Sequence, residues 1–185
     1  RFLDVSGVLE RALPEVASAM EHRRADLGDL DPTAALRFPV VERLDALAHQ
    51  IGLADEELVI AALTADVCGD ADDVDACALS LANRLVPTEE ALRVVALVTD
   101  ARLLRSGLRD PHSLEQHEIL QLATHLATVD HARQAYELAL AIGGLDHWQR
   151  EALDERFSLV SEALTHPEVT SSEAYRALWD GLRAG

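Results

Sequence analysis

Apolar residues in this sequence recur at helical intervals almost from end to end. Leu58, Ala61, Ala62 and Ala65 stand three or four residues apart or adjoin, and so do Ile119, Leu122, Leu126 and Val129, then Leu153, Phe157, Val160 and Leu164. Such spacing lines one face of a helix, and no stretch shows the alternation of a half-buried strand. Aromatic residues are only 4% of a chain that is 49% apolar. Leu, Ala and Val must therefore fill the core, which suits helices packed on helices. A length of 185 residues is enough for one domain with a sizeable core. The expected fold is all-α, a compact bundle of about eight or nine helices in a single domain over residues 1–185. Opening on Arg1, the chain reads as a piece of a longer one.

Turn and cap residues divide the pattern. Ser6 can cap a first helix through Val8, Leu9, Leu13, Val16 and Met20, with a kink near Leu13 imposed by Pro14. The polar stretch from Arg23 to Thr33 reads as a loop. Helices follow at about Val40–Ile51, stopped by Gly52, at Asp55–Cys68, stopped by Gly69, at Asp72–Val86, and at Thr88–Leu104 with Thr88 as N-cap. Ser113 and Gln116 have the spacing of a capping box. The helix they open either continues or breaks near Asp130 before reaching Ala141. Gly143-Gly144 precedes a long helix from Asp146 to His166-Pro167. A short closing helix with Tyr175, Leu178 and Trp179 can be capped by Ser171 or Ser172.

The net charge is −17, and all 16 basic residues are arginine. With no lysine, a Schiff-base lysine, a lysine general base and a P-loop are excluded. The acidic excess disfavours nucleic acid, which needs basic patches. No run of about 18 apolar residues is present to span a membrane, and no secretory signal is visible. Cys68 and Cys77 are too few for a disulfide scaffold and lack CxxC spacing. The expectation is a cytoplasmic protein in which both are small buried hydrophobes.

Several segments, in order, carry a resemblance. LDVSGVLERALPEV (3–16), RFPVVERL (37–44), ALTADVCG (62–69), LVTDARLL (97–104), AYELALAI (135–142) and WQREALDERF (148–157) resemble successive motifs of the HD domain of bifunctional PII uridylyltransferase/uridylyl-removing enzymes. In that family ALTADVCG corresponds to A-L-L-H-D-I-G-K. The resemblance implies an all-α HD-like domain, normally preceded by a nucleotidyltransferase domain and followed by glutamine-sensing ACT domains.

HD phosphohydrolases use divalent metals held by imidazoles and carboxylates from several helices. Carried over residue by residue, the first ligand histidine falls on Arg43. The His-Asp pair falls on Ala65-Asp66, and the loop histidine on or near Val74. The His-His pair falls on Asp100-Ala101, and the distal aspartate on Ile142, or on Asp130 if LATVDHA is aligned instead. The imidazoles are gone, and Arg43 puts a permanent cation where the metal would sit. The expected arrangement is Arg43 paired with Asp66, its guanidinium replacing the metal charge, with Asp100 as the other candidate partner.

The implied function is that of a degenerate, non-catalytic HD domain with no cofactor. Its role would be regulatory, binding a protein such as a PII-type signalling protein, other domains of its own chain, or a nucleotide, in nitrogen regulation. One alternative is a hydrolase removing a nucleotidyl group with Mg²⁺ or Mn²⁺ held by Asp66, Asp100 and Asp130. Another is a helical adaptor with no ligand site. Asp70, Asp72, Asp73 and Asp75 lack the pattern of a calcium loop and read as a solvated helix start. His112, His117, His125 and His131 read as partly exposed, non-ligand histidines, and Trp148 and Phe157 as core.

Overall fold

The computed structural model describes residues 7–27, 37–51, 55–108 and 116–165. It is all-α, with nine helices and no strand among the described residues. The helices are α1 (Val8–Ala12), α2 (Pro14–Leu27), α3 (Pro39–Ile51), α4 (Glu56–Cys68), α5 (Val74–Leu85), α6 (Thr88–Arg105), α7 (Gln116–Leu126), α8 (Val129–Ile142) and α9 (His147–Thr165). The caps at Ser6 and Ser113, the stop at Gly52, His112, and the closing helix with Trp179 lie outside the described residues. The chain forms two compact units, Arg1–Thr99 and Asp100–Gly185.

In the first unit the break expected near Leu13 separates α1 from α2. Pro14 becomes the first residue of α2, where its missing N–H costs nothing and its fixed φ suits a helix. The loop expected from Arg23 is instead helix as far as Leu27. The stretch from Glu21 to Asp26 contains no glycine or proline to break a helix. α6 begins with Thr88 itself, and the carbonyl of Pro87 accepts from the Ala91 amide at 2.9 Å. α4 packs against α2, α3 and α5. Val16, Met20, Val67, Cys68 and Leu81 form a buried cluster, covered by Leu9, Leu13, Phe38, Leu63 and Val74.

Cys68 and Cys77 are joined in a disulfide, with a Cα–Cα distance of 5.7 Å, which corrects the expectation of two buried thiols. The end of α4 and the start of α5 are turned back on one another by residues 69–73, and this brings the two cysteines to bonding range. Asp73 N-caps α5, its carboxylate accepting from the Ala76 amide at 3.0 Å. The acidic cluster is thus a helix start, as expected. The crosslink spans nine positions; closing a loop that short constrains the unfolded chain by about 2–3 kcal/mol.

In the second unit α9 packs on α7 and α8. The core is Leu and Ala: Leu104, Leu120, Leu126, Leu138 and Leu153 with Ala123, Ala132, Ala135 and Ala139. The break between α7 and α8 falls at Ala127, three residues before Asp130. Ala127 adopts φ 61, a left-handed conformation that an L-residue takes at a cost. Thr128 then caps α8, accepting from the His131 amide at 3.2 Å. Gly143 and Gly144, both at positive φ, end α8. Trp148 is 68% exposed rather than core: it lies on the outer face of the first turn of α9, against His147. Phe157 is half-buried and stacks on Tyr136 with ring centroids 4.2 Å apart.

Candidate functional site

Asp66, the aspartate singled out in the sequence, sits in the last turns of α4, 8% exposed. Its oxygens accept from the backbone amides of Val40, at 3.0 Å to each, and of Val41, at 3.1 Å. These are the first two N–H groups of α3, because Pro39 has none. A helix start normally has such donors satisfied by its own N-cap side chain. Here the residue before Pro39 is Phe38, which cannot cap, and its carbonyl accepts from Glu42 N at 2.9 Å. Asp66 therefore caps α3 from a different helix, with its negative charge at the positive end of the α3 dipole.

Arginine closes the back of this junction. The Arg23 guanidinium donates to the backbone carbonyl of Asp66 and, at 2.8 Å, to that of Arg37. It also lies 5.6 Å from the centre of the Phe38 ring, within cation–π range. Burial pushes Asp66 above the ordinary carboxylate range; the Val40 and Val41 amides, then the charges of Arg23 and of Arg43, act to lower it. Arg43 is exposed on α3. The expected Arg43–Asp66 attraction operates through space, but the groups that hold the carboxylate are two amides, and Arg23 is the stronger cationic influence.

These residues do not fit a divalent metal. Both oxygens of Asp66 point at N–H donors, Ala65 beside it offers no ligand atom, and the charges facing it are guanidinium. Among the described residues no group of three or more His, Cys, Asp or Glu side chains is placed to hold a metal ion. A cleft of about 410 Å³ does open beside Asp66, lined by Glu15, His22, Arg23, Asp70 and Cys77 among others. Glu15 Oε1 accepts from the Ser80 hydroxyl at 2.6 Å and from Arg84 Nε at 3.3 Å, while its Oε2 is buried without a hydrogen-bond partner. Burial raises the Glu15 carboxyl, but Ser80, its own backbone and Arg84 outweigh that and hold it below its ordinary value.

Asp100, Ala101 and Ile142 belong to the second unit. Ala101 is fully buried and Ile142, the last residue of α8, is half-buried; neither brings a ligand atom. Asp100 is 4% exposed and lies between two imidazoles. Its Oδ1 is 2.8 Å from His125 Nε2 and its Oδ2 is 2.6 Å from His131 Nε2. Asp130, the alternative ligand, faces solvent, with an oxygen 3.9 Å from Arg133. The His125–Asp100–His131 cluster was missed in the sequence. It forms only because Ala127 turns the chain, so that histidines on α7 and α8 converge on one residue of α6. The one available signal was LATVDHA, where a polar break precedes a histidine.

The chain matches no protein-family model, no curated protein and no solved structure.

Proposed function

We infer that this chain is a non-catalytic helical domain of the degenerate HD type with a regulatory, partner-binding role. The carrying observation is what Asp66 does. The carboxylate expected to bind metal is used up capping α3, next to an alanine where the resemblance implies a histidine. The aspartate has kept a structural task after the chemistry was lost. A cleft remains beside it, lined by Glu15, His22 and Arg23 among others, which gives a partner group a place to bind. The partner in this reading is a PII-type signalling protein, another domain of the same chain, or a nucleotide, and the setting is nitrogen regulation in the cytoplasm. Cytosolic reductants would then act on the Cys68–Cys77 bond. No described helix is long and apolar enough to cross a membrane.

Calorimetry with Mn²⁺ and Mg²⁺, on the wild type and Asp66→Ala, tests this reading. Neither protein should take up metal. The substitution should cost about 2–3 kcal/mol of stability, because it leaves two amides of α3 without acceptors. Saturable metal binding that disappears in Asp66→Ala would overturn the reading and restore the hydrolase. If metal is absent, titration with a PII-type protein and with uridine and adenine nucleotides identifies the partner.

A further inference from the structure

Arg156, in the middle of α9, is 7% exposed. A guanidinium that deep needs its donors and its charge satisfied. Among the described residues its hydrogen bonds leave through Nη1, to the carbonyls of Leu104 at 2.8 Å and Ser106 at 2.7 Å. Those carbonyls close the end of α6, so one side of the group acts as a C-terminal cap. Nε, by contrast, is buried and has no hydrogen-bond partner. Burial pushes Arg156 below the ordinary guanidinium range, against the through-space effect of Glu118 on α7.

The Arg156 side chain also lines a void. A cleft of about 480 Å³ is lined by Arg156, Ser106, Gly107, Gln121, Leu122 and His125, with Leu103 and Glu118 also on its wall. The volume is in the range of small-molecule sites. His125 is held in this wall by its bond to Asp100. The Nε edge of a guanidinium presents two parallel N–H bonds, the geometry that matches two oxygens of a carboxylate or phosphoryl group. An oxyanion in the cleft that draws the guanidinium toward it gives the unsatisfied Nε the acceptor it lacks, in a charge-assisted pair.

We propose that the cleft between α7, α9 and the end of α6 is a binding site for a small oxyanion, a carboxylate or phosphoryl group taken by Arg156 with Gln121 and His125 alongside. The site lies wholly within the second unit and does not depend on the HD reading. Glu118 on the wall repels a bulky polyanion, which restricts the ligand to a small group with one charged end.

The test is an NMR titration of the whole chain with inorganic phosphate and, separately, with succinate, at constant ionic strength made up with chloride. Either anion should give saturable shifts centred on Ser106, Gly107, Gln121 and His125. Saturation by phosphate alone assigns the ligand to the phosphoryl class; saturation by succinate alone assigns it to the carboxylates. Arg156→Gln should weaken binding about tenfold or more. Because that change also removes the cap on α6, Gln121→Glu is the second variant. It leaves the cap in place, sits on an exposed residue, and should weaken binding to a similar degree by putting a carboxylate in the cleft. Absence of saturable shifts with both anions overturns the proposal. So does wild-type affinity in Gln121→Glu, whether or not Arg156→Gln folds.

Discussion

Tyr136 shows how one side chain is set by its surroundings. Its hydroxyl donates to Asp154 Oδ1 at 2.7 Å, and its ring lies on Phe157. Burial first, then the hydrogen bond and charge of Asp154, push its pKa up to about 12. A folded-state pKa above the unfolded value stabilises the fold while the phenol is protonated. This contribution is complete below about pH 10, the unfolded value, and is lost as pH rises through about 12. The tyrosinate absorbance difference between wild type and Tyr136→Phe should have its midpoint near 12, and Asp154→Asn should move it down. At this scale the sequence was only partly readable. Asp66 was singled out as the residue that matters, but its partners were not, because backbone amides leave no trace in a motif. Trp148 was expected inside, since period alone does not say which face of a helix is covered.

Among the elements a common device emerges. Asp66 on α4 caps the start of α3, Arg156 on α9 caps the end of α6, and Arg105 on α6 caps the end of α8, donating to Ala139 O at 2.6 Å and Gly143 O at 2.5 Å. In each case the charge opposes the local helix dipole: carboxylate at the amino end, guanidinium at the carboxyl end. Arg105→Met should therefore cost about 2 kcal/mol in urea unfolding, the usual worth of hydrogen bonds to a charged group, and the loss should include faster amide exchange in the last turn of α8. Among the described residues, most helix boundaries were legible from period and punctuation. The α7–α8 break was placed late because Ala127, unlike a glycine, gives no sign of a left-handed residue. The disulfide was not legible either, since spacing alone does not show that the chain reverses between α4 and α5.

For the whole molecule the governing quantity is charge. A net −17 with 16 arginines against 33 acids makes the folded state repel itself, and short-range pairs such as Arg93–Glu57 at 2.6 Å relieve only part of this. Raising NaCl from about 0.02 M to about 0.5 M shortens the screening length several-fold. The melting temperature at pH 7 should rise by about 2–4 °C if the relief is worth about 1 kcal/mol. A fall would mean that the pairs screened by salt matter more than the repulsion. The all-α class was the most secure inference from the sequence, since it rests on periodicity summed over every segment and no single misplaced residue can undo it.

The cap that Asp66 places on α3 also bears on the order of folding. The carboxylate lies about two dozen positions downstream of the amides it holds, so the first turn of α3 lacks its acceptor until α4 has formed and docked. The expected consequence is weak local nucleation of α3, with its amino end completed in a late, long-range step. A mutation at Asp66 would then act mainly on the rate of unfolding and leave the rate of folding nearly unchanged. The Asp66 carboxylate thus serves as a latch that keeps two helices from parting.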